Sequence, residues 1–360
     1  MKGSIVLETG ETFVGNWHGE PKQVEGEIVF FTGMTGYQEV ITDPSFKGQI
    51  VVFTYPLIGN YGVNESDFES SKPQVEGVIV CEAASDPSHW KMKKSVVDYL
   101  SEHRIPYMSG VDTRAIVKRI RQHGDMRAVL TTDSRNANVQ ETRLLSDKFV
   151  VADVSVTEPV VYNATGTTHI AVLDYGCKQS IIRSLVKKGA KVTQLPYNTD
   201  FAVLEALKPD GVLLSNGPGN PKQLQALLPD IKKVAETFPT LGICLGHQLL
   251  ALAYGGDTQK LRFGHRGANQ PVLDSCTGRV CMTSQNHSYV VTEESLASSI
   301  LEPRFYNIND RSIEGLVHPK RPVMSIQFHP EASPGPVDST EIFDAFLAPL
   351  LSKGRDHQYA

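Results

Sequence analysis

The sequence predicts an α/β protein whose C-terminal part is a mostly parallel sheet flanked by helices, preceded by a separate N-terminal domain of mixed α and β structure. Three observations carry this. From His169 onward apolar runs of strand length alternate with helical patterns, which is the grammar of a parallel sheet. Residues 1–150 lack that alternation and are dense in glycine-bearing turns, such as Thr32-Gly33-Met34-Thr35-Gly36 and Ile58-Gly59-Asn60-Tyr61-Gly62. Between them, residues 151–168 read as a linker, with Thr157-Glu158-Pro159 and Asn163-Ala164-Thr165-Gly166. The expected domains are therefore 1–150 and 169–355. A length of 360 residues fits two of them.

In the first part, Ser4–Leu7 and Thr12–Val14 flank Glu8-Thr9-Gly10-Glu11 as a hairpin. Glu27–Phe31, Gln49–Tyr55 and Val75–Cys81 are further strands. Ser95–His103 and Thr113–Gln122 carry apolar residues at helical spacing, and Gly124 stops the second. In the second part, His169–Asp174, Lys191–Leu195, Gly211–Leu214 and Thr240–Ile243 are strands. Gln179–Lys188, Phe201–Leu207 and Gln223–Phe238 are the intervening helices, the last interrupted at Pro229. After Gly256 short strands and turns are expected, then the strand Val323–Phe328 and a helix near Thr340–Leu351.

Hydrophobic residues make up 40% and charged residues 21%, an ordinary globular composition. A net charge of −5 argues against general nucleic-acid binding. Runs such as Lys118-Arg119-Ile120-Arg121 read as solvated helix faces. No stretch of about 18 apolar residues occurs, so no membrane span is expected. The start lacks a signal-peptide pattern, and the five cysteines (Cys81, Cys177, Cys244, Cys276, Cys281) are irregularly spaced without Cys-x-x-Cys. A reduced, cytoplasmic protein without a metal site is the expectation.

One segment carries chemistry. In Leu241-Gly242-Ile243-Cys244-Leu245-Gly246-His247-Gln248 an apolar strand enters Gly-x-Cys-x-Gly and a helix follows. This is the cysteine form of a nucleophile elbow: glycines two residues to either side allow a sharp, strained turn with close backbone approach. The helix start favours a thiolate, and the Leu245 amide is placed to donate to an oxyanion. A lone cysteine is more often a packed core residue; the flanking glycines and the strand–turn–helix context weigh against that here.

Such a thiol needs a histidine base. Of the eleven histidines, His329 follows the strand Val323–Phe328 and precedes Pro330, which favours extended chain at His329. Residues two apart then face the same way, so Glu331 can orient the imidazole. Without Cys244, His329 would read as a strand end and Glu331 as a surface charge. His247 is the rival base but is expected to point away from the elbow and bond locally. His265 and His287 read as loop or substrate-shell residues.

Gly-Ile-Cys-Leu-Gly-His-Gln together with Phe-His-Pro-Glu resembles the class I (triad) glutamine amidotransferases, as does Ser215-Asn216-Gly217-Pro218-Gly219. Thr32–Glu39, Asp43-Pro44-Ser45, Thr54–Gly62, Gly110–Ile116 and Phe263–Pro271 narrow the resemblance to the small subunits of carbamoyl phosphate synthetases. The resemblance implies a triad of Cys244, His329 and Glu331, and a glutamine pocket formed by Ser45, Gly217, Gly219, Leu245, Gln248, Asn286, Ser288 and Tyr289. It implies hydrolysis of glutamine through a glutamyl thioester. Ammonia would then pass to a large-subunit partner that makes carbamoyl phosphate from bicarbonate and ATP. ATP and magnesium belong to that partner; this chain has no Gly-x-x-x-x-Gly-Lys-Ser/Thr loop and no cofactor is expected on it.

Three positions depart from the family pattern: Ser288 stands for a usual glycine, Tyr289 for phenylalanine and Arg266 for histidine. A positive φ at Ser288 would bring strain. The alternatives are a glutaminase subunit of another synthetase, a free-standing thiol hydrolase of similar fold, or a non-catalytic regulatory subunit. The N-terminal strings disfavour the first two and the intact triad the third. Arginine and pyrimidine synthesis are both open destinations for the product.

Overall fold

The computed structural model describes residues 1–356. The chain divides into two compact units, one of Met1–Val150 with Leu261–Gly267, the other of Val151–Lys260 with the remainder from Ala268.

The first unit is a closed barrel. Its strands are β1 (Lys2–Leu7), β2 (Thr12–His18), β3 (Gln23–Phe31), β4 (Gln49–Phe53), β6 (Gly77–Ile79), β8 (Tyr107–Ser109) and β9 (Met126–Thr131), in the order β1-β2-β8-β6-β4-β3-β9. The short pair β5 (Leu57–Ile58) and β7 (Glu82–Ala83) lies outside that closure. Alternation along the strands separates two cores. Ile5, Leu7, Ile28, Ile50, Val52 and Met108 enter one; Val29, Phe31, Val51, Phe53 and Val78 enter the other. Helices α1 (Tyr37–Thr42), α2 (Val96–Glu102) and α3 (Thr113–His123) complete the unit. In α3 the Asp112 carboxylate accepts from the Ala115 amide, Ile116 and Ile120 are buried one turn apart, and Gly124 at φ 101° ends the helix.

The second unit is built on a ten-stranded sheet in the order β10-β12-β11-β13-β14-β19-β18-β16-β15-β17. The strands are β10 (Val160–Tyr162), β11 (His169–Asp174), β12 (Lys191–Pro196), β13 (Gly211–Leu214), β14 (Thr240–Ile243), β15 (Thr258–Asp274), β16 (Val280–Val291), β17 (Glu302–Asn307), β18 (Ile313–Val317) and β19 (Val323–Ile326). Strands β12, β11, β13, β14 and β19 run parallel to their neighbours in that series. The helices are α4 (Gln179–Lys187), α5 (Phe201–Leu207), α6 (Leu228–Thr237), α7 (Leu245–Ala253) and α8 (Glu341–Asp356).

Parallel strands covered on both faces must be apolar on both. Ile170 and Val172 pack into one core, Ala171 and Leu173 into the other, all at most 3% exposed. Each of the isoleucine, valine and leucine side chains buried in this way contributes roughly 1.5–3 kcal/mol before entropy is counted. Among the described residues no helix is long and apolar enough to cross a membrane, and no disulfide forms.

Three expectations need adjusting. Residues 160–162 are not plain connector: β10 pairs antiparallel with β12 at the sheet edge. Gln223–Phe238 is not one interrupted helix. A 3-10 turn over Pro221–Leu227 precedes α6, and Pro229 sits in the first turn of α6, where its missing amide costs nothing. After Gly256 the chain forms two long strands of 17 and 12 residues rather than short ones; glycine and proline inside β15 disguise the first of them in the sequence.

Candidate active site

In an open parallel sheet, functional groups gather beyond the carboxyl ends of the strands. Four adjacent parallel strands deliver groups there: β11 leads to Asp174 and Lys178, β13 to Ser215–Gly219, β14 to Cys244, and β19 to His329 and Glu331.

Cys244 stands between β14 and α7 with φ 53° and ψ −102°, a conformation L-residues seldom take, and is 2% exposed. Such a residue costs of order 1–3 kcal/mol and persists only where its surroundings enforce it. Here the Cys244 amide donates to Ile326 O at 2.8 Å, and the Gly246 amide to Ser215 O at 3.0 Å. The flanking glycines serve close approach rather than positive φ. A β-carbon on Gly246 would lie 2.2 Å from Leu214 O, and one on Gly242 2.7 Å from Gly246 O. The Sγ lies 3.7 Å from Asn286 O. Leu245 opens α7, so its amide has no acceptor within the helix.

His329 is tied to the sheet by its amide, which donates to Ser284 O at 2.9 Å. Its Nδ1 is 2.6 Å from Glu331 Oε1, and both side chains are almost wholly buried, at 2% and 0% exposed. The extended chain through Pro330 thus places the two on one side. The same Oε1 receives Lys178 Nζ at 2.8 Å, a lysine 3% exposed, which also donates to Ser333 O. Burial alone would raise the Glu331 carboxyl; the Lys178 and His329 charges hold it down, to about 2. Burial alone would lower the His329 imidazole; the Glu331 charge, then the Cys244 thiol and the Glu331 hydrogen bond, raise it to about 10. Nε2 makes no hydrogen bond of regular geometry, yet the thiol is near enough to add to the ring's affinity for a proton.

No motif or periodicity in the sequence marks Lys178 as a site residue. Its backbone is fixed by the Asn216 side chain, whose Oδ1 accepts the Lys178 amide at 3.1 Å. The turn before it closes on Asp174, which accepts from the amides of Gly176 (2.9 Å), Cys177 (2.6 Å) and Val156 (2.8 Å) and from Gln194 Nε2 (2.8 Å). Burial raises the Asp174 carboxyl, and those donors oppose the rise. The one available signal was a buried strand ending in Asp-Tyr-Gly-Cys-Lys, a tight turn at a strand's carboxyl end.

Among the other expected residues, Gln248 donates to Tyr289 O at 2.8 Å and to Gln327 Oε1 at 3.0 Å, joining α7 to β16 and the end of β19. Asn286, Ser288 and Tyr289 are half-buried members of β16. Gly217 and Gly219 lie in the loop after β13. A β-carbon on Gly217 would meet Tyr175 O at 2.2 Å, and Gly219 has φ 89°. Ser45 is buried in the first unit, in a 3-10 turn whose amide is capped by Asp43 at 2.8 Å.

Ser288 is absent from the positive-φ residues, so the strain considered for it does not arise. Arg266, in the first unit, is 2% exposed and pairs with the fully buried Asp125 at 3.1 Å. His247 turns away from the elbow, with Nδ1 2.9 Å from Ser325 Oγ, and burial presses it down to about 3. His265 and His287 are strand residues, not loop residues. His287 is buried, bonded to Gln285 Oε1 at 3.0 Å and Tyr289 O at 2.9 Å.

Comparison with known proteins adds to this geometry. Residues 5–130 match the family model described as carbamoyl-phosphate synthase small chain, CPSase domain, and residues 171–348 that of glutamine amidotransferase class-I. The chain is 55% identical over 360 residues to the carbamoyl phosphate synthase arginine-specific small chain of Halalkalibacterium halodurans, covering 100% of both chains. It is 54% identical to the arginine-specific small chain of Bacillus subtilis, again covering 100% of both. The carbamoyl phosphate synthase small chain of Listeria monocytogenes is 45% identical, with 100% of this chain and 99% of that one covered.

Proposed function

Because the chain belongs to the family of carbamoyl phosphate synthase small chains and is a glutamine-hydrolysing subunit of that kind, we propose that Cys244, His329 and Glu331 carry out the hydrolysis. The observation that bears the most weight is the strained Cys244 at the carboxyl end of β14 beside the buried His329–Glu331 pair. In this reading Sγ attacks the carbon of the glutamine side-chain amide, and the amides of Leu245 and Gly217 hold the oxygen as it gains charge. His329 takes the thiol proton and delivers it to the leaving nitrogen. The C–N bond breaks, ammonia departs, and a glutamyl thioester remains. Water attacks the thioester with His329 as base, and glutamate leaves with the thiol restored. Glu331, itself held by Lys178, keeps the imidazole oriented and its charge balanced. Gln248, Gly219, Asn286, Ser288 and Tyr289 shape the glutamine pocket.

Ammonia then passes to a large-subunit partner, which holds ATP and magnesium and makes carbamoyl phosphate. Enclosed transfer suits the chemistry, since ammonia released into neutral water is mostly protonated and no longer nucleophilic. The product serves arginine synthesis: the relatives at 55% and 54% identity are arginine-specific, whereas the small chains without that specification are 45–46% identical.

Glutamate release by wild type and Cys244→Ser, with and without a large subunit, tests the reading. Wild type is expected to be slow alone and faster with the partner, because partner binding selects the competent geometry. Cys244→Ser is expected to release no glutamate; undiminished release would remove Cys244 from its role. Deleting the gene should create a requirement for arginine but not for uracil.

A further inference from the structure

Gln248 lies one turn into α7 from Cys244, its backbone amide donating to Cys244 O at 3.2 Å, and it is only 3% exposed. Both hydrogens of its Nε2 are committed: one goes to Tyr289 O at 2.8 Å, the other to Gln327 Oε1 at 3.0 Å. A backbone carbonyl only accepts, so the atom facing Tyr289 O is the nitrogen. The Gln248 amide therefore has one orientation. Its Oε1 meets no donor among the described residues, and it is not sealed from solvent as the orphaned polar atoms of the core are. Gln248 thus offers an acceptor, and no donor, to the space it faces.

Gln327 makes that orientation firm. It is fully buried directly after β19, two residues before His329, and its backbone amide donates to Glu314 O at 2.8 Å. Its own Nε2 is buried without a partner. A buried donor in that state is costly, and nothing at that end holds the side chain; the bond to Gln248 does. Turning the Gln248 amide over would set its oxygen against two acceptors, Tyr289 O and Gln327 Oε1.

Position decides which part of glutamine meets the free Oε1. Cys244 Sγ, where the side-chain amide reacts, lies 3.7 Å from Asn286 O. Tyr289 is three residues further along β16, roughly 10 Å at the usual strand rise. The Gln248 amide is thereby set off from the reacting end, toward the α-carbon, where the one donor on glutamine is its α-ammonium. We propose that Gln327 is a positioning residue for substrate specificity: it holds Gln248 so that Oε1 accepts from the α-ammonium of glutamine. The proposal rests on the reading of Cys244 and Gln248 as parts of a glutamine site.

The test gives the complex with the large subunit either glutamine or glutaramate, which is glutamine without the α-ammonium, and follows release of glutamate or glutarate. Wild type should prefer glutamine strongly. Gln327→Met, of nearly the same shape, should raise KM for glutamine about fivefold, the loss of one neutral hydrogen bond, and leave kcat near wild type. The ratio of kcat/KM for glutamine over glutaramate should fall by the same factor; that ratio does not depend on how much of a preparation is folded. Gln327→Glu keeps an acceptor oxygen in place and should retain the wild-type ratio. In a Gln248→Met background, where the preference is already lost, Gln327→Met should change the ratio no further. An unaltered ratio in Gln327→Met, or a further fall in the double variant, would overturn the proposal while leaving glutamine hydrolysis in place. A wild-type complex that releases no glutamate would instead remove the glutaminase reading beneath it.

Discussion

Lys178 and His329 meet on one oxygen: Nζ of the first lies 2.8 Å and Nδ1 of the second 2.6 Å from Oε1 of Glu331, with all three side chains at most 3% exposed. A carboxylate this buried is tolerable only while paired, since desolvation otherwise exceeds what one hydrogen bond returns.

Lys178→Met should therefore destabilise the protein by about 3 kcal/mol or more, the usual cost of removing one partner from a buried pair. Glu331→Gln alone should also destabilise it. The double variant should cost less than the sum, because no uncompensated charge is left behind. Urea unfolding of the four proteins at one pH measures this. Strict additivity would mean that the two charges do not depend on each other.

The same pair fixes a pH dependence. Glu331 is lowered from 4.5 to about 2, so its contribution is complete above 4.5 and is lost as pH falls through about 2. His329 is raised from 6.5 to about 10, so its contribution is complete below 6.5 and is lost as pH rises through about 10. The stability difference between wild type and Glu331→Gln should be largest between pH 4.5 and 6.5. It should shrink as pH approaches 10, to the remainder that Lys178 supplies. In Glu331→Gln the burial of His329 is unopposed by a carboxylate, so its imidazole should titrate lower than in wild type. ¹³C-imidazole NMR across the range reads both states. An unmoved His329 titration would show that Glu331 is not what charges it.

Much of this site was legible in the sequence because it is local. Gly242–Gly246 lies in one elbow, and His329 and Glu331 are two residues apart in extended chain, so periodicity alone puts them on one side. The buried strands His169–Asp174, Gly211–Leu214 and Thr240–Ile243 stand in the structure with the same bounds, since continuous apolar runs between turn residues leave little choice. Lys178 was hidden because its partner is 153 residues away and its own neighbours carry no periodic signal. The closed barrel of the first unit was hidden for a similar reason. Its closure depends on pairing β1 with β9, and no local pattern encodes a contact across more than a hundred residues. In the sequence β15 looks like short pieces because Gly264, Gly267 and Pro271 interrupt it; in a sheet these residues bend a strand without ending it.

Gly246→Ala should be far more harmful than an ordinary helix substitution. In a free helix alanine would be favoured over glycine by about 1 kcal/mol. Here its β-carbon would sit 2.2 Å from Leu214 O, so α7 or β13 must shift, and with it the Cys244 backbone that positions Sγ. Loss of glutamate release together with a lower midpoint of thermal unfolding is expected. A more stable, fully active variant would mean that the close approach does not hold the elbow.

The two histidines near Cys244 in sequence and in space should separate cleanly by pH. His247 is fully buried with no carboxylate beside it, and burial presses it to about 3, so it stays neutral across the working range and bonds Ser325 Oγ as a neutral ring. His247→Gln keeps a side chain able to bond Ser325. It should lower the rate of glutamine hydrolysis only modestly and leave both limbs of its pH profile where they are in wild type. Glu331→Gln should move the limb that His329 controls toward lower pH. Profiles of kcat/KM for glutamate release by the three proteins, each measured with the large subunit present, decide between the two histidines. A limb that moves in His247→Gln and stays fixed in Glu331→Gln would make His247 the base.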